Sequence, residues 1–156
     1  MKNREQRNDN LPKRGRTLKP GPEPIEPTSE HTPAQKRAGL GKRGELVAAN
    51  WLQRQGYRIL ARNWRYGRLE LDLVAQLGET LVVVEVKTRR ESGTDPPSRP
   101  EEAVNPGKQR KLGQAGMVFL GSRPDCQSVR FDVIAIRVRG NRCRLYHQQD
   151  AFFPGL

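Results

Sequence analysis

The chain has 156 residues, with 29 Lys/Arg against 17 Asp/Glu, a formal net charge of +12 and an isoelectric point near 10.5. That length suits one domain with one core, and the charge suits a polyanionic partner, nucleic acid before an anionic membrane surface. Two cysteines without CxxC spacing and only two histidines support neither a zinc knuckle nor a disulfide framework. The longest aliphatic run is four residues and the N-terminus lacks the apolar centre of a secretory signal, so the expectation is a reduced, cytoplasmic protein with no membrane insertion or export.

Residues 1–37 hold six of the twelve prolines, nine Lys/Arg and five Asp/Glu, with almost no large apolar side chains. Such a segment buries too little surface to offset its chain entropy and reads as a disordered basic arm. Most of the basic excess, +8, therefore belongs to residues 38–156. From Gly41 to Gln55 the stripe Glu45, Ala48, Ala49, Leu52 predicts a helix, stopped by Gly56. "YRILARNW" alternates as a first strand, and Leu69–Gln76 with Thr80–Thr88 form a hairpin around Gly78. Arg89–Pro100 lacks apolar periodicity and reads as an exposed loop. Asn105 and Pro106 then make an N-cap and first helical position for a second helix carrying Leu112, Ala115, Val118 and Phe119. "VRFDVIAIRV" and "RCRLYH" supply two last strands, giving an α/β layer arrangement.

Within the apolar hairpin the charged residues need an explanation, since a buried charge is costly unless paired or metal-bound. Residues two apart in a strand share a face, so Glu85 and Lys87 share one, as do Glu70 and Asp72. A turn on Gly78 and Glu79 sets Asp72 opposite Glu85; a turn on Leu77 and Gly78 makes the two diagonal. In either register two carboxylates lie close and repel unless a cation sits between them. All-oxygen ligands suit Mg2+ or Mn2+. Asp72, Glu85 and the Val86 carbonyl, with the Lys87 ammonium beside them, are the parts that metal-assisted phosphodiester hydrolysis requires. Glu45 is either a further ligand reaching the sheet from the first helix or a carboxylate stabilising the first turn of that helix.

"GLGKRG", Gly39–Gly44, matches GxGxxG but follows a proline-rich tail instead of a strand, so it is no dinucleotide fingerprint. Lys42 and Arg43 remain candidates for phosphate contact near a helix N-terminus, and Arg89 and Arg90, at the end of the charged strand, are expected to contact nucleic acid.

The segments "GKRGELVAANWLQRQGYRILARNWR", "LELDLVA", "VVVEVKTR", "EEAVNPGKQRKL" and "VRFDVIAI" resemble, in order over residues 38–156, the YraN-like family of predicted bacterial endonucleases. The resemblance implies a restriction-endonuclease-like fold, a three-layer core with a mixed central sheet flanked by helices. It also implies a PD-(D/E)xK type of active site akin to that of archaeal Holliday junction resolvases. It assigns Asp72, Glu85 and Lys87 to the nuclease centre and Glu45 to its helix-borne acid. Lys108 and Arg130 fall in family-typical positions, as phosphate contacts or as ordinary surface cations, and Asp132 reads as structural. Leu69 stands where the family commonly has glycine before Glu70.

The expected function is a metal-dependent endonuclease acting on DNA ahead of RNA, with branched or structured DNA suggested by the resemblance alone. The rival is a non-catalytic nucleic-acid-binding protein in a DNA-processing or ribosome-associated assembly. Oligomeric state stays open.

Overall fold

A threonine starts the first helix. Thr32 Oγ1 accepts the Gln35 N–H and Gln35 Oε1 accepts the Thr32 N–H, a capping box followed directly by proline. The structure, a computed structural model, describes residues 32–91 and 104–154. Its elements are α1 (Pro33–Arg54), β1 (Arg58–Tyr66), β2 (Leu69–Leu77), β3 (Thr80–Arg90), α2 (Pro106–Gly121), β4 (Ser128–Arg139) and β5 (Arg142–Gln148). Helix α1 thus begins eight residues before the Gly41 start expected from its apolar stripe. Gly39 and Gly41 hide the periodicity, while the capping box supplies the start. Thr32, the N-cap, and residues 33–37, assigned to the arm, belong to this helix; residues 1–31 of the arm and residues 92–100 of the predicted loop lie outside the described residues.

The five strands lie in chain order, antiparallel throughout except for the parallel pair β3–β4, which α2 connects. Ala48, Ala49 and Leu52 of α1 pack on Leu73, Val82, Val84 and Ile134. On the other side Leu112, Ala115 and Phe119 of α2 pack on Val74, Val83, Phe131 and Val133. Each fully buried Val, Leu or Phe contributes about 1.5–3 kcal/mol, so two cores hold a helix on each face of the sheet. This is the three-layer α/β restriction-endonuclease-like core. Both helices approach through glycine: a Cβ on Gly44 would stand 1.8 Å from Thr88 Oγ1, and one on Gly116 would stand 3.1 Å from the Phe131 ring.

Gly78, at φ +60°, makes the β2–β3 turn with Glu79, and Leu77 pairs with Thr80. This selects the register that sets Asp72 opposite Glu85. The ladder itself ends one residue short, at Leu73–Val84. Strict alternation also slips there, because Leu71 joins the α2-side core and Leu73 the α1-side core. On the neighbouring strand Asn63, between the pairs Arg62–Leu73 and Trp64–Leu71, has φ +50°. The sheet is therefore irregular at the level of Asp72, which frees the edges of β2 and β3 from each other.

Candidate active site

Where the β2–β3 ladder stops, side chains take over from backbone. The Val86 N–H, on the β3 edge facing β2, donates to Asp72 Oδ2 at 2.9 Å. In a strand the N–H and C=O of one residue leave on the same edge, so the Val86 carbonyl is directed toward this gap as well. Glu85 is only 2% exposed, and Lys87 Nζ lies 2.7 Å from its Oε1. A second ammonium, from Lys108 in the first turn of α2, meets the same oxygen. Asn105, the N-cap of α2, accepts the Lys108 N–H at 2.9 Å, which anchors the backbone from which that ammonium extends.

The electrostatics follow from this crowding. Burial, the largest influence, and the neighbouring Glu85 charge raise the Asp72 pKa to about 6; the Val86 N–H and Lys108 oppose the shift, and Glu45 adds to it. Burial works against the Lys108 ammonium, but its hydrogen bond and charge interaction with Glu85, with Asp72 beyond, hold its pKa above the ordinary value. Lys108 is therefore a fixed positive charge at neutral pH. A cleft of about 430 Å³ opens beside Asp72 and Lys108, lined also by Arg68, Glu70 and Lys111.

Of the residues singled out by sequence, the fold brings together Asp72, Glu85, Val86 and Lys87. Glu45 accepts from Asn63 Nδ2 at 2.9 Å, and its charge is felt at Asp72. Because α1 starts at Pro33, Glu45 sits in mid-helix, and the first-turn dipole role falls away. Among the described residues no three Asp, Glu, His or Cys side chains gather as an ion site, so the pair Asp72 and Glu85 is the acidic nucleus. The same helix start corrects the reading of Lys42 and Arg43, which are exposed near the middle of α1 and not at its N-terminus. Arg43 shares a cavity of about 410 Å³ on the α1 side with Arg90 and Thr88. Arg89 and Arg90 are exposed at the end of β3.

Arg130 is engaged within the fold as a structural cation. Its guanidinium holds both oxygens of buried Asp132 at 2.9 Å and donates to Tyr57 Oη at 3.0 Å. His147 and the Asp150 N–H complete that carboxylate's partners. Burial opposes the Asp132 charge, yet these hydrogen bonds hold its carboxyl below the ordinary range. Lys108, for which the sequence leaves open a phosphate contact or a surface cation, owes its place on Glu85 to how α2 docks, and Asn105 three residues earlier signals only its helical position. Arg68 and Lys111 escape sequence reasoning, since nothing local distinguishes them from other surface cations.

A family model described as "Uncharacterised protein family UPF0102" matches residues 44–136, a stretch that contains the whole acidic site. A "UPF0102 protein" of Nitratidesulfovibrio vulgaris (strain DP4) is 42% identical over 117 residues, covering 74% of this chain and 85% of the relative. One of Syntrophotalea carbinolica is 44% identical over 118 residues, covering 75% and 94%. One of Chlorobium chlorochromatii is 39% identical over 130 residues, covering 78% and 96%.

Proposed function

The chain belongs to the UPF0102 family, the YraN-like proteins, and from that premise and the site geometry we propose that it is a metal-dependent phosphodiester hydrolase acting on nucleic acid, DNA ahead of RNA. One observation carries the reading. Two carboxylates, Asp72 and Glu85, converge at the end of the β2–β3 ladder in a basic domain, with the Asp72 pKa raised to about 6. A pair whose burial and mutual repulsion disfavour charge is relieved by a cation. Its oxygen-only donor set, Asp72, Glu85 and the Val86 carbonyl, fits Mg2+ or Mn2+. When bound, such an ion supplies Lewis-acid stabilisation of charge on a phosphoryl oxygen and acidifies water.

The chain's own residues supply the rest. Asp72 at pKa about 6 is largely ionised at neutral pH. The Val86 N–H fixes its orientation, as a support to a metal-binding or catalytic carboxylate must. Lys87 and Lys108 carry their charges on flexible stems, so each ammonium can leave Glu85 Oε1 for a phosphate oxygen without backbone movement. Lys87 lies two residues beyond Glu85 on the same strand face, where it orients the attacking water or offsets charge as the phosphorane forms. Lys108, held protonated, positions the phosphate and serves no base role.

The test is a panel of junction, duplex, flap and single-stranded DNA and RNA with Mg2+ and with Mn2+, alongside calorimetry of metal binding by wild type and Asp72→Asn. The reading expects cleavage by wild type and sharply weakened metal binding in the variant. Unchanged metal binding in Asp72→Asn would remove the site.

A further inference from the structure

Beyond the acidic site the sheet carries a second concentration of charge. In the β4–β5 hairpin Arg137 pairs directly with Arg144, and Arg139 with Arg142. Like charges facing each other across antiparallel strands are destabilising, and here two such pairs follow one another. With Glu91 they line a cavity of about 310 Å³. Arg139, Arg142 and Arg144 are exposed, and among the described residues none of the three forms an ion pair. By contrast Arg58, Arg65, Arg123 and Arg130 each have an acidic partner. Gly140, at φ +56°, closes the hairpin next to Arg139 and brings the second pair together.

The cross-strand registers tie this cluster to the acidic site. Glu85 pairs with Val133, Lys87 with Ala135 and Arg89 with Arg137; Ala135 in turn pairs with Tyr146. Directly paired residues point to the same face of a sheet, and Val133 belongs to the α2-side core. Glu85, Lys87, Arg89 and the four hairpin arginines therefore share the α2 side of the sheet. At about 3.3 Å per residue, the two arginine pairs lie roughly 7 and 13 Å along the strands from the row of Lys87. Tyr146, 45% exposed, stands in that row itself, with the Arg137 guanidinium 5.9 Å from its ring centroid.

We infer that the arginine quartet of the β4–β5 hairpin is a backbone clamp. It holds successive phosphates of a nucleic-acid strand that runs across the sheet face and presents one phosphodiester to Glu85 and Lys87. Guanidinium forks match phosphate oxygens two at a time. A linear row continuous with Arg89 and Lys87 follows a polyphosphate track more naturally than the scattered carboxylates of an acidic protein surface. Arg139 and Arg142, which face each other without an ion pair among the described residues, are relieved of their repulsion when an anion lies between them. The inference rests on the proposed phosphodiesterase reading for its strand direction and for nothing else.

The test measures affinity for fluorescent DNA and RNA as a function of salt. It compares wild type with the triple variant Arg139→Ala, Arg142→Ala, Arg144→Ala, leaving Arg137 and every site residue intact. The clamp predicts weaker binding to all sequences and a log-log salt slope shallower by about 1 for each phosphate no longer neutralised. Because repulsion is removed, the variant should melt no lower than wild type. Arg142→Glu, which offers Arg139 an ion-pair partner across the hairpin, should also bind nucleic acid more weakly. If the triple variant keeps wild-type affinity and slope, the clamp is wrong and the acidic site is untouched; wild type preferring polyglutamate to nucleic acid overturns the clamp too. If the triple variant loses affinity but wild type cleaves nothing, the clamp stands and the hydrolase reading falls.

Discussion

Asp72 is the residue on which the site's chemistry turns, because it accepts a backbone N–H, faces a second carboxylate and is partly buried at once. In the folded protein it holds its proton up to about pH 6; in the unfolded chain it does so only to about pH 4. Between those values the folded state binds more protons than the unfolded one, so Asp72 makes stability fall as pH rises through that window. Asp72→Asn keeps an acceptor for the Val86 N–H and removes the titration. In chelator, urea unfolding across this range should show the variant gaining on wild type as pH rises, and staying more stable above about pH 6. Parallel curves would mean that burial and the neighbouring Glu85 charge do not raise the Asp72 pKa. The charges themselves are legible in sequence, since Asp72, Glu85 and Lys87 interrupt runs of Leu and Val. Their partners are legible only in part. The Lys108 contact with Glu85 and the Arg130 contact with Asp132 depend on helix docking and on side-chain reach, which no local spacing encodes.

Helix α1 shows what an element requires to sit close to the sheet. Gly44 lies against Thr88, whose Oγ1 is buried without a hydrogen-bond partner. Alanine at position 44 would gain about 1 kcal/mol of helix propensity, but its Cβ would stand 1.8 Å from that hydroxyl. Overpacking of this kind typically costs about 1–3 kcal/mol, so the clash outweighs the propensity. Gly44→Ala should therefore lower the unfolding midpoint. Adding Thr88→Ala should recover only part of the loss, since the remaining Cβ is still 2.9 Å away; a Gly44→Ala protein more stable than wild type would show that α1 rides higher than described. The strands and α2 are readable from alternation, turn glycine and the Asn105-Pro106 cap. The start of α1 is not, because Gly39, Gly41 and the surrounding charges erase the apolar stripe over its first turns. The irregularity at Asp72 escapes for a related reason: alternation assumes a regular pleat, and Asn63 with its positive φ breaks it.

At the scale of the molecule, two helices close the two faces of a five-stranded sheet, and the acidic site lies at the end of one ladder with basic side chains on both sides. None of the described helices is long and apolar enough to cross a membrane. The basic balance and the strand pattern allow the fold and the acidic nucleus to be expected together; the arginine pairs emerge only once the β4–β5 register is known. The central claim is that this site hydrolyses phosphodiester bonds, and Lys87 tests it most directly, because removing one cation among many should hardly alter binding. The decisive measurement is single-turnover cleavage of nucleic acid with Mg2+ or Mn2+ by wild type and by Lys87→Ala at matched saturation. We predict a folded, DNA-binding variant whose cleavage is slower by about a hundredfold or more; a variant that cleaves as fast as wild type, or a wild type that cleaves no DNA or RNA substrate with either ion, would contradict it.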